Sequence, residues 1–300
     1  MFKRKTRNDI YYMKRSVKLV LLAVAFVAVG LGYYFNKRYA LEKRYASVPE
    51  KRHKNNILRI GIIGDSWATG ISLDTIISDE FLRRGIKTEV ISFGEPEAKT
   101  KDIYDNLYAG PGTPYSSSEI LHHNLDYCII LAGTSDAAGE MGAKFYAYYS
   151  SLIIGDLAKN NIEPVFVTMP DFGFKEVTDS LGILKKVRNE VSSLIIDNGS
   201  TGNLDDYRKQ VSEVLKDTHL QDSAIVVPFN LVCDNYQKHK ILYRNNSHLS
   251  TAGKQKMGRI IVQYILNKIN QGNLHSPPAG IGAPNIASSK PLANIHRSGS

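Results

Sequence analysis

From Ile57 onward, short β-branched runs alternate with longer amphipathic ones, and that alternation constrains the fold more than any other feature of the chain. Strands separated by helix-length segments cannot pair as hairpins, so they point to a parallel sheet covered by helices on both faces. The expected strands are 58–63, 88–92, 127–131, 164–168 and 224–227. Helices are expected at about 71–84, 99–108, 143–160, 178–197, 205–217 and 251–270. In such a sheet, ligands bind beyond the carboxyl ends of the strands, so the residues just after each strand are where chemistry is sought.

The charge separates the body from its extensions. Residues 1–56 hold 14 Lys and Arg against 3 Asp and Glu, a net +11, which leaves 24 against 26, or −2, for the remaining residues. A basic nucleic-acid-binding surface would need its charge on the folded body, so nucleic acid is not expected as a partner.

Val17 to Phe35 is almost continuously apolar, 19 positions or about 28 Å of helix, close to the thickness of a bilayer's hydrocarbon core. The stretch is long for a signal peptide and leaves through Tyr33, Tyr34 and Phe35 without a small-residue cleavage site. It reads as an uncleaved anchor. Lys3, Arg4, Lys5, Arg7, Lys14 and Arg15 outnumber the basic residues just after it, which places residue 1 in the cytoplasm and the body outside. The organisation that follows is a basic segment at 1–16, a transmembrane anchor at 17–35, a charged tether at 36–56, a folded domain at 57–270 and a disordered Pro-, Gly- and Ser-containing tail at 271–300.

Two motifs carry chemistry. Gly64-Asp65-Ser66-Trp67 follows the first strand as a tight turn with a serine at its tip, where backbone amides could face a developing oxyanion. Alone the tripeptide is ordinary turn chemistry, and Ser66 could simply cap a helix. Near the other end, Asn245-Asn246-Ser247-His248-Leu249-Ser250 leads into the last helix, with Ser250 or Thr251 as its cap. A histidine fixed at a helix entrance is well placed to act as a general base. Cys128 and Cys233 lack metal-ligand spacing, and Cys128 lies inside an apolar run as a buried thiol would, while a bridge between the two remains an alternative. No metal or organic cofactor is called for. The sequons at Asn198 and Asn245 carry no weight, and Trp67 reads equally as a core residue or as a wall for a sugar or acyl group.

Taken together, Gly64-Asp65-Ser66, Gly94 after the second strand, Gly133-Thr134-Ser135-Asp136 after the third, and the late His248-Leu249-Ser250 with Gly253 resemble the four separated blocks of the SGNH/GDSL hydrolase superfamily. The resemblance spans residues 57 to about 268. It implies a three-layer α/β/α, flavodoxin-like fold with a five-stranded parallel sheet, here preceded by one transmembrane helix, and a serine esterase that hydrolyses acyl esters. It also implies a role for each matching position. Ser66 is the nucleophile and His248 its base. The oxyanion hole draws on the amides of Ser66 and Gly94 and on the position of Ser135, where the family has asparagine. Asn245 stands where the family has the aspartate that orients the imidazole. Asp136 and Asp171, each just after an expected strand and so on the correct edge of the sheet, or a backbone carbonyl, are the substitutes if Asn245 cannot serve, and Asp65 reads as a structural residue of the turn. An outward-facing anchored domain of this kind suggests O-acetyl esters of cell-envelope or extracellular glycans as substrate. Acyl transfer to a sugar hydroxyl, or glycan binding without catalysis, are the alternatives.

Overall fold

The computed structural model describes residues 7–39, 57–69, 73–197 and 203–275. The tether beyond Tyr39, the sequon at Asn198 and the tail from residue 276 lie outside the described residues. Five strands, β1 (Leu58–Gly64), β2 (Thr88–Gly94), β3 (Tyr127–Leu131), β4 (Glu163–Val167) and β5 (Ile225–Val227), form one sheet in the order β2-β1-β3-β4-β5. Every neighbouring pair is parallel. The strands match the runs expected from sequence to within one or two residues, because a strand buried on both faces is written as a nearly continuous apolar run. Ile60, Ile62, Ile129, Ile130 and Val165 have no solvent exposure.

Helices α2 (Leu73–Leu82) and α9 (Thr251–His275) pack together as one layer. The other layer is built from α3 (Thr100–Asn106), α5 (Ala143–Lys159) and α8 (Leu204–Asp217). Two helices not expected from the sequence, α4 (Thr134–Ala138) and α6 (Phe174–Asp179), sit just beyond the ends of β3 and β4, and α7 (Ile183–Asp197) follows α6. The strand order reverses between β1 and β3. The crevice outside their carboxyl ends is the switch point of this topology, where a ligand is expected.

Upstream of the sheet, α1 (Arg7–Tyr39) carries the apolar stretch, and every residue from 17 to 33 is exposed. Among the described residues no helix is long and apolar enough to cross a membrane. Cys128 and Cys233 are both buried and free, so the alternative of a bridge between them falls, and burial pushes both thiols up.

Candidate active site

The turn after β1 is tied down from beneath. The Asp65 carboxylate is buried, one oxygen accepting from the Trp67 amide at 3.0 Å and the other from the Thr134 hydroxyl and the Ser135 amide. Burial pushes this carboxyl up to about 6 even though those hydrogen bonds pull it back. Thr134 reaches Asp65 because the chain leaves β3 through Gly133 at φ +115°, a left-handed conformation that favours glycine. Gly94 lies behind the turn, where a side chain would collide, since a Cβ would fall 2.6 Å from both the Ala68 carbonyl carbon and the Thr69 nitrogen. The structural reading of Asp65 therefore agrees with the hydrogen bonds it makes.

The histidine is carried on a closed loop. Tyr243 and Leu249 form an antiparallel bridge, and the Arg244 amide donates to the His248 carbonyl at 2.8 Å. Ser250 Oγ then accepts from the Gly253 amide at 3.2 Å and caps α9, one of the two caps expected. Inside the loop, Asn245 Oδ1 accepts from the backbone amides of Ser247 at 3.1 Å and His248 at 2.8 Å, and lies 3.0 Å from His248 Nδ1. Two backbone donors fix which end of the amide faces the ring, so an acceptor oxygen meets Nδ1 and favours the tautomer with its proton there, with Ser247 Oγ 3.2 Å from the same nitrogen. In that tautomer Nε2 carries the lone pair.

Two contacts fasten this loop to the rest. The indole of Trp67 donates to the Ser247 carbonyl at 2.7 Å, linking the residue beside Ser66 to the residue beside His248. Trp67 is buried, which decides its dual reading in favour of the core. The Gly173 amide donates to the Asn246 carbonyl at 2.7 Å, and Tyr236 Oη donates to Asn246 Oδ1 at 2.9 Å.

Ser66, Ser135 and His248 line one cleft of about 320 Å³. Ser66 and His248 are both partly exposed. No hydrogen bond joins them among the described residues, a common state in unliganded sites where the catalytic bond tightens only with substrate bound. The His248 imidazole is held below the usual histidine value by partial burial and by the cations of Arg244 and Lys254, all of which favour the neutral ring. Gly94 does not line the cleft.

The two aspartates expected as substitutes for Asn245 are committed elsewhere. Asp136 is buried and accepts from the Thr100 amide and from its hydroxyl at 2.8 Å, joining the end of β3 to the start of α3. Burial pushes it up to about 7, against the pull of Thr100 and Lys99. Asp171 pairs with Arg208, and its carbonyl accepts from the Tyr243 hydroxyl, which braces the base of the histidine loop. Neither carboxylate bonds to the imidazole. Both lie on the correct edge of the sheet, but position after a strand does not decide which way a side chain turns. Among the described residues no three His, Cys, Asp or Glu side chains gather as a metal site.

No protein-family model and no curated protein matches the sequence. Solved structures do match, and at low sequence identity they show a shared fold. A lipase/acylhydrolase from Enterococcus faecalis superposes with a TM-score of 0.51 at 16% identity, over 70% of this chain and 96% of that one. A putative lipolytic protein of the G-D-S-L family from Desulfitobacterium hafniense gives 0.48 at 16% identity, over 70% and 99%. The acetylxylan esterase Axe2 from Geobacillus stearothermophilus gives 0.49 at 12% identity, over 69% and 94%.

Proposed function

We propose that this chain is a serine esterase in which Ser66 attacks the acyl carbon of an ester, His248 Nε2 takes the hydroxyl proton, and Asn245 holds the ring. The single observation that carries the reading is the Asn245 oxygen, held by two backbone amides and directed at Nδ1, in a loop whose imidazole shares a cleft with Ser66. The departing alcohol takes its proton from His248, and water drawn through the same base then releases the acyl group. The amide of Ser66 and the hydroxyl of Ser135 are the proposed oxyanion donors, and Gly94, which lies behind the turn and outside the cleft lining, is left out of the set. A neutral Asn245 orients the imidazole but adds no charge to stabilise imidazolium, so turnover is modest.

The substrate class we propose is O-acetyl esters of cell-envelope or extracellular glycans, with transfer to a sugar hydroxyl open to the same acyl-enzyme. Membrane attachment is part of the proposal. No described helix reaches the length and apolarity of a span, yet residues 17–33 are exposed and, Lys18 near the start apart, carry no charged side chain on any side. We give the second observation more weight, because a helix that is apolar all round requires a cover, and a bilayer with the body on its extracytoplasmic side supplies one.

The test of catalysis is p-nitrophenyl acetate turnover by the full chain. Ser66→Ala and His248→Ala each lower it by at least about 10³-fold. Equal turnover in Ser66→Ala and the parent would refute the reading and leave the glycan-binding alternative.

A further inference from the structure

Helix α7 is built inside out. Asn189 is buried, its side-chain amide 3.5 Å from the Ala138 carbonyl, while Ile183, Leu184, Val187 and Val191 are 80, 87, 51 and 38% exposed. At about 100° per residue these four fall within one arc of roughly 100°, and Asn189 lies on the opposite side. A surface helix normally turns its apolar stripe inward and its amides outward. Here the polar side meets the protein and the apolar side meets solvent. The helix also stands at the mouth of the candidate active site, since Lys185, Arg188 and Asn189 line the cleft with Ser66 and His248.

Charge narrows what can cover the stripe. Lys186 and Arg188 flank it on its two sides with Glu190 as the one acid in that stretch, although the body as a whole is slightly acidic. Symmetric docking of a second copy would bring these cations against their own counterparts. An anionic lipid surface instead attracts them and accepts the apolar stripe, the pairing used by helices that lie in a membrane interface. The exposed apolar length of α1 independently calls for the same solvent.

We infer that α7 docks on a bilayer bearing anionic phospholipid, with Ile183, Leu184, Val187 and Val191 at the boundary between headgroups and acyl chains. The cleft, lined by the opposite side of the same helix, then lies near the membrane with α7 between them. The docking does not rest on the esterase reading.

The test uses the full chain in phosphatidylcholine vesicles with and without phosphatidylglycerol. Cys128 and Cys233 are buried, so one introduced thiol can be labelled. A nitrobenzoxadiazole label at Leu184→Cys is quenched by lipid-borne doxyl groups about twofold more in the anionic vesicles than the same label at Lys209→Cys on α8. Adding Lys186→Glu to Leu184→Cys weakens the quenching. Three results would overturn the docking: equal quenching at the two positions, shielding of the Leu184→Cys label that depends on protein concentration without lipid, or shielding in dilute chain without lipid. The second would indicate another copy and the third a segment of the same chain. Fluorophosphonate labelling of Ser66 in the same samples reads out catalysis separately, so loss of either signal alone identifies which reading has failed.

Discussion

The two halves of the cleft are held by different chemistry. The nucleophile turn rests on buried carboxyls, Asp65 beneath Trp67, Thr134 and Ser135, and Asp136 beneath Thr100. The histidine loop rests on neutral hydrogen bonds, with Asn245 and Asn246 as acceptors and Trp67, Gly173 and Tyr236 as donors. The residues of ionisable type therefore maintain the fold, while the group that faces the His248 ring carries no charge. The comparison teaches that role follows from what a side chain faces and not from its type. It also implies that pH acts on the two halves differently.

The largest effect is expected at the neutral half. Asn245→Ala removes the acceptor for the ring and for two backbone amides together, and kcat/KM for p-nitrophenyl acetate falls by about 10²- to 10³-fold with little change in KM. Asn245→Asp keeps the geometry and adds a charge. It raises kcat about tenfold or more and moves the acidic limb of the pH profile upward, because a carboxylate favours imidazolium. In the parent that limb is expected below the ordinary histidine value, because burial, Arg244 and Lys254 lower His248. An unchanged limb in Asn245→Asp would mean that residue 245 does not face the imidazole.

The ionisable half is expected to show itself in stability. Asp65 and Asp136 have folded values raised from 3.8 to about 6 and about 7. The fold thus prefers their protonated forms, so their contribution is fully present below 3.8 and is lost as pH rises through 6 to 7. Asp136→Asn keeps an acceptor for Thr100 and cannot ionise. Its unfolding free energy from urea titration, measured relative to the parent, gains on the order of 1 to 3 kcal/mol between about pH 4 and pH 8. A pH-independent difference would show that Asp136 does not titrate in that window.

The smallest effect tests the link between the halves. Trp67→Phe retains much of the buried ring but loses the bond to the Ser247 carbonyl, lowering stability by about 1 to 2 kcal/mol and kcat severalfold. If kcat were unaffected while stability fell, the bond would belong to the core alone.

Much of this was legible in the sequence. The five strands could be read because parallel strands buried on both faces spell out continuous apolar runs, and Asn245 could be read from its place three residues before His248. The helices α4 and α6 could not, because five or six residues complete too few turns to show a period. The Trp67 to Ser247 bond spans 180 positions and leaves no local signal. Asp136 and Asp171 were misleading for a related reason, since the sequence places them at the correct edge while Thr100 and Arg208 decide their direction. Which end of the Asn245 amide faces the ring is likewise set by closure of the loop, through the amides of Ser247 and His248.

The most direct measurement is peptide mapping by mass spectrometry after a fluorophosphonate reacts with the full chain and its His248→Ala variant. The account predicts one phosphonylated residue, Ser66, formed rapidly in the parent and at least about 10²-fold more slowly without His248. An adduct on another residue, or labelling of Ser66 at the same rate in both proteins, would contradict it.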